Sequence, residues 1–168
     1  MNALLLAALL CTGFDFGGRV AGLYPVGDLN RYHASSALLG AAAGWTTGPF
    51  RFEAGYSYAS LPGRQATPYR LSFHLPHAGI GWSPVRQPGW GLELGAGGGY
   101  ALGRRDFGSG TETGNAALAE LGFSFVQLAG KSRLAVGFWY SNLIENSPAA
   151  GVRLSPLLSL RAGVSYVP

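Results

Sequence analysis

At 168 residues the chain has the length of one domain, large enough for a sandwich or a small barrel. It holds 27 glycines and only 12% charged residues, where average usage is about 7% glycine and about 25% charge. Its +4 formal charge rests on scattered arginines, one adjacent pair (Arg104-Arg105) and the single Lys131, so no phosphate-tracking stripe exists and nucleic acid is excluded as a partner.

Although 48% of the residues are hydrophobic, no apolar run approaches the ~20 residues of a membrane-spanning helix. Ala3 to Leu10 is a short apolar run leaving through Cys11-Thr12-Gly13, the form of a secretory h-region without a preceding Lys or Arg. Residues 1–12 are therefore set apart as a short or incomplete signal segment, and 13–168 as a single β-barrel domain. Leu10, just before Cys11, is not the small residue a lipoprotein cysteine wants. As the only cysteine, Cys11 forms no internal disulfide.

Eight strands are predicted in chain order. The first, Phe14 to Leu23, puts Phe14, Phe16 and Val20 on one parity and Asp15, Arg19 and Ala21 on the other. The second, Leu38 to Trp45, is rich in Ala and Gly, and Thr46 to Pro49 is a tight turn by composition. The third, Phe50 to Leu61, alternates Phe50, Phe52, Ala54, Tyr56 and Tyr58 against Arg51, Glu53, Gly55, Ser57 and Ala59. In the fourth, Tyr69 to Trp82, the apolar parity switches from Leu71, Phe73 and Leu75 to Ala78, Ile80 and Trp82. A β-bulge is expected at Pro76, followed by a turn from Ser83 to Gly89.

The fifth strand, Trp90 to Leu102, sets Trp90, Leu92, Leu94 and Tyr100 against Gly91, Glu93, Gly95 and Gly97. The sixth, Ala117 to Leu128, opposes Leu121, Phe123 and Phe125 to Glu120, Gly122 and Ser124; Ala129 to Ser132 is a hairpin turn. The seventh is Arg133 to Leu143 and the eighth Leu158 to Val167. Connections alternate between short turns and longer, more polar loops near Pro25 to Ser36, Pro62 to Pro68, Arg104 to Gly114 and Glu145 to Pro156. Trp45, Trp82, Trp90 and Phe50 gather beside the short turns; Tyr24, Tyr58, Tyr69, Tyr100 and Tyr140 gather towards the long loops. Two aromatic rims are what membrane interfaces select.

The second face of each strand is mostly Gly, Ala and Ser with about one charge, too sparse for a water-exposed surface that wants roughly a quarter charged residues. It suits the lumen of a narrow barrel. The expected fold is therefore all-β, an eight-stranded antiparallel up-and-down transmembrane β-barrel. Asp15, Arg19, Arg51, Glu53, Arg70, Glu93, Glu120, Arg133 and Arg161 are expected inside it as a paired network, acting as a plug or, alternatively, a polar conduit.

On this pattern the chain resembles the small bacterial outer-membrane barrels of the OmpA/OmpX type. The resemblance is architectural and covers Phe14 to Val167; Gly22 to Asp28 (Gly-Leu-Tyr-Pro-Val-Gly-Asp) looks like their passage from first strand to first loop. Leu160, Ala162, Val164 and Tyr166 look like the C-terminal signal read by the barrel-assembly machinery, although the chain ends Tyr-Val-Pro where such signals end on an aromatic. The resemblance implies an outer-membrane anchor, structural element or surface scaffold whose partners are membrane lipid and lipopolysaccharide. Arg31, Arg64, Arg104, Arg105 and Arg153 in the loops are the expected headgroup contacts.

Chemistry is sparse. His33 and Ser35 have the spacing of a base and nucleophile for acyl hydrolysis, with only Asp28 near enough in sequence to orient the base. His74 and His77 flank Pro76, and two histidines without a third ligand do not make a metal site. Gly97-Gly98-Gly99 precedes no helix and is no phosphate loop. No catalytic residue, metal or cofactor is assigned. The rival readings are a lipid-modifying enzyme, a narrow pore and a soluble calycin-like binder.

Overall fold

A computed structural model describes residues 13–64, 69–107, 109–147 and 151–168. The apolar run before Gly13, with Cys11, lies outside them, as do parts of the expected second, third and fourth loops. The chain forms β1 (Gly13–Pro25), a short helix α1 (Asp28–Tyr32), β2 (Ser36–Thr47), β3 (Phe50–Leu61), β4 (Arg70–Gln87), β5 (Trp90–Asp106), β6 (Thr111–Ala129), β7 (Ser132–Ser147) and β8 (Gly151–Tyr166). Each strand pairs antiparallel with its chain neighbours, and β1 pairs with β8 from Phe16↔Tyr166 to Pro25↔Leu157, closing the barrel. Closure removes every free strand edge, the condition for a sheet to stand in hydrocarbon.

The three short connections are two-residue turns, Gly48-Pro49, Pro88-Gly89 and Gly130-Lys131. Each carries a glycine with positive φ (56°, 88° and 60°), where a Cβ would be strained and the turn matches the strand twist. Two of the four expected long loops are much shorter than their composition suggests. β5 runs on through Arg104 to Asp106 and β6 starts at Thr111, while β7 reaches Ser147 and β8 starts at Gly151. Their polar residues continue the strand pairing past the greasy band, so polarity marks the edge of the band and not the end of the strand.

The expected bulge at Pro76 is absent. β3 and β4 stay in register from Leu61↔Leu71 to Phe50↔Trp82, and the only β4–β5 shift falls between Trp82 and Val85. Ser83 to Gln87, expected as turn, is strand, with Pro84 in the shifted segment, the place in a sheet that tolerates a missing N–H. Inward parity on β4 is therefore odd from Leu71 to Gly81, before the shift turns Val85 outward, and Leu71, Phe73 and Leu75 point into the barrel. They join Ala21, Leu23, Leu38, Ala59, Leu61, Ala101, Ala116, Leu118, Leu143 and Leu157 in one apolar layer. All of these lie in the half of the barrel near the long connections. The interior thus has two storeys: an apolar one at that end and a charged one at the short-turn end.

The outer wall is greasy. Phe14, Phe16, Leu39, Leu121 and Phe138 are each more than half exposed, and this inversion of inside and outside makes sense only against lipid. Aromatic neighbours stack along the short-turn rim, Phe14 on Trp45 and Trp45 on Phe52.

Candidate functional site

Eight charged side chains from six strands meet in the lower storey. Arg51 reaches across to Asp15, Nε to Oδ2 at 3.1 Å and Nη2 to Oδ1 at 2.7 Å, a two-pronged pair with both side chains under 10% exposed. Its third nitrogen, Nη1, donates to Glu53. Glu53 also accepts from Arg19 Nη1 at 2.9 Å, and Arg19 in turn meets Ser57 and His77. On the opposite wall Arg161 donates to Glu120 and to Ser159, and Ser141 donates to the same carboxylate at 2.9 Å. Arg133 pairs with Glu93 at 2.9 Å.

Four guanidiniums therefore face four carboxylates, and every one has an opposite partner. That balance is what a low-dielectric interior requires, because an unpaired charge there costs several kcal/mol. Arg51 can serve two carboxylates at once because its planar fork presents donors on two edges. The free space within the network is about 70 Å³ on one side and about 40 Å³ on the other, room for a handful of waters, and a wider cup of about 450 Å³ at the short-turn mouth touches Asp15, Arg51, Glu93 and Arg133 from below.

Eight of the nine residues expected in the lumen are brought together here; Arg70 is not. It lies on the even, outward parity of β4 and is exposed, because the bulge that would have turned it inward does not exist. The same error displaced Tyr69. Expected at the outer aromatic rim, it sits half-buried on the apolar layer, 5.1 Å from the His33 ring and 5.0 Å from Phe107. The other expected rim residues (Trp45, Trp82, Trp90, Tyr24, Tyr58, Tyr100 and Tyr140) are exposed on the wall.

Two interior members were missed. His77 is buried beside Arg19 and Glu53, and Trp139 lies under the Arg161 guanidinium at 4.7 Å while its Nε1 donates to Ser124 at 3.3 Å. Trp139 was legible: it falls on the opposite parity from Leu134, Val136 and Phe138. Two glycines make its space, since a Cβ on Gly122 would come within 2.5 Å of the ring and one on Gly95 would collide with it.

The upper mouth is partly lidded. α1 lays Leu29 on the apolar layer, and His33 follows it, 1% exposed. The lid is tied to the second loop by Ala34 N to Pro62 O at 3.0 Å and Arg64 N to Tyr32 O at 2.9 Å, and Val26 N donates to Pro156 O at 3.1 Å. Arg64 also donates to the Asn30 carboxamide at 2.8 Å. Burial pushes the His33 imidazole below its usual range. Ser35 is exposed while His33 packs beneath α1 on Tyr69, so the pair that acyl hydrolysis needs is not assembled. His74 faces outward against Tyr56 and Tyr58 whereas His77 faces inward, and among the described residues no cluster of three or more metal-ligating side chains occurs. Beside the lid, a cup of about 340 Å³ opens between β4 and β7, with the Arg105–Glu145 pair at 3.9 Å on its rim.

No family model matches the chain, and no curated protein matches it in sequence. Solved structures do. Neisserial surface protein A is 16% identical, covering 92% of this chain and 96% of its own, with a TM-score of 0.71. Ail, the attachment invasion locus protein of Yersinia pestis, solved with the heparin analogue sucrose octasulfate, is 10% identical over 94% of this chain and 97% of its own, with a TM-score of 0.56. The outer membrane protein AlkL is 11% identical over 94% and 90%, with a TM-score of 0.55. At these identities the likeness is one of fold, and the fold is that of the small bacterial outer-membrane barrels.

Proposed function

We propose that this chain is an integral protein of a bacterial outer membrane that serves as an anchor and surface-interaction scaffold, without a catalytic step and without a through-pore. The observation that carries this reading is the interior: a charge-balanced network of four arginines and four carboxylates with an apolar layer stacked above it. An ion crossing it would have to break paired charges and then enter hydrocarbon-like packing, each step costing several kcal/mol. The long-connection end, with its lid and extended β5–β6 and β7–β8 hairpins, is the surface offered outward. Structures of the same fold include a protein named for attachment and solved with a polyanionic sugar, which supports an anionic surface ligand here. The row Leu160, Ala162, Val164 and Tyr166 faces outward on β8, where barrel-assembly machinery would read it.

Planar-bilayer recording tests the closed interior. The purified chain is expected to insert without discrete conductance steps. Steady ohmic steps from wild-type protein would overturn it.

A further inference from the structure

The outer wall carries one polar sector that neither the apolar band nor the lumen network uses. Tyr58 lies opposite His74, and His74 opposite Leu102, at the level of the upper aromatic rim. One step above, Ser60 lies opposite Ser72 and Ser72 opposite Arg104; one step further, Arg70 lies opposite Asp106. All of these side chains are on the outward parity, and Arg70, His74 and Arg104 are exposed. Their hydroxyls already form a chain, Tyr58 to Ser72 at 3.5 Å and Ser72 to Ser60 at 3.4 Å. β6 continues the sector with Asn115 opposite Leu102 and Thr113 opposite Arg104, whereas on β8 the corresponding steps above the rim hold Pro156 and Leu154, so the sector is not a feature of the whole circumference.

Height identifies what it meets. Two residues rise roughly 6–7 Å along a strand, so a strand tilted about 40° puts Arg104 about 5 Å above the rim and Arg70 about 10 Å. The headgroup layer beyond the hydrocarbon is roughly 5–8 Å thick per side, and long arginine side chains extend along such an interface. Arg70 and Arg104 are diagonal neighbours across the β4–β5 pair, about 7–8 Å apart at the backbone, close enough for two guanidiniums to converge on one anion. Asp106 sits beside them and offsets one of the two positive charges. Guanidinium forks match phosphate geometry, and the hydroxyl chain beneath offers partners for sugar hydroxyls.

We propose that Arg70, Arg104 and the Ser60–Ser72–Tyr58 hydroxyls form a site on the outer wall for the phosphorylated sugar headgroup of lipopolysaccharide. This rests on the outer-membrane reading above. Of the loop arginines expected for the contact it keeps Arg104, and it sets three others aside: Arg31 lies 3.9 Å from Asp28, Arg64 is tied into the lid and Arg105 pairs with Glu145.

The test measures binding of bisphosphorylated lipid A and of phosphatidylglycerol to the full chain in detergent, by native mass spectrometry. Variants are R70Q/R104Q and, as a solvent-facing control, R31Q; heat-modifiable gel migration reports the folded barrel in each. The double substitution is expected to weaken lipid A binding about tenfold or more, the 1.4 kcal/mol worth of one charge-assisted hydrogen bond. R31Q is expected to bind as wild type, and phosphatidylglycerol more weakly than lipid A. Undiminished binding by folded R70Q/R104Q, an equal loss in R31Q, or phosphatidylglycerol binding as tightly as lipid A overturns the site while leaving the barrel reading intact. A wild type that stays folded and monomeric without detergent overturns both.

Discussion

Removing one member of the Arg161–Glu120 pair should cost far more than removing both. The two side chains are 9% and 8% exposed, and Glu120 takes its bonds from Arg161 and Ser141 alone among the hydrogen bonds described. Arg161→Met leaves a carboxylate in the interior with one hydroxyl; Glu120→Gln leaves a guanidinium facing a neutral amide. Breaking a buried pair costs about 3–5 kcal/mol, mostly as the penalty of the stranded charge. The small water spaces beside the network point to the lower half of that range, about 3 kcal/mol for each single change. The double variant strands nothing and should lose only about 1–2 kcal/mol, so the cycle should return a coupling of about 4 kcal/mol. Urea titration in detergent, read by tryptophan fluorescence, measures it, and Trp139 under Arg161 is a built-in reporter. Singles that cost under about 1 kcal/mol, or singles that simply add, would refute the idea that the interior is held by mutual neutralisation.

The seam gives a second test. A Cβ on Gly17 would collide with the Val164 carbonyl of β8, whereas one on Gly18 meets nothing nearer than 3.8 Å. Gly17→Ala should therefore cost about 1–3 kcal/mol of urea stability while Gly18→Ala stays near wild type, and equal stabilities would sink the argument. The lid gives a third. Burial lowers the His33 pKa, so the opened lid binds the extra proton and closure weakens as pH falls from about 6.5 towards the lowered value. The protection of the Ala34 and Arg64 amides, taken relative to their intrinsic exchange at each pH, should fall on acidification in wild type and lose that dependence in His33→Phe; the same pH response of protection in both would remove His33 as the cause.

The existence of all eight strands was legible because alternation at period two persists in each, and the inversion of faces was legible from sparse charge on the small-residue parity. The mismatches on β4 trace to one inference. Leu71, Phe73 and Leu75 were assumed to face lipid because they are apolar, and the switch to Ile80 and Trp82 then demanded a bulge. In fact the barrel interior has its own apolar layer, so apolar parity ceases to name the outward face in the upper half. That single assumption turned Arg70 inward and Tyr69 outward. His33 illustrates a different limit: its burial depends on α1 folding across the mouth and on bonds to the second loop, contacts with no local pattern to announce them. The polar ends of β5 to β8 look like loops because polar composition normally ends a half-buried strand, although here the pairing runs on past the greasy band.

The central claim is that the greasy face meets lipid and the charged face lies within. Single-tryptophan variants in bilayers containing brominated lipid test it directly. Trp45, Trp82 and Trp90, each exposed on the wall, should be quenched by bromine on the lipid, while Trp139, enclosed with Arg161 and Ser124, should not. Quenching of Trp139 with the other three protected would mean that the two faces have been assigned the wrong way round.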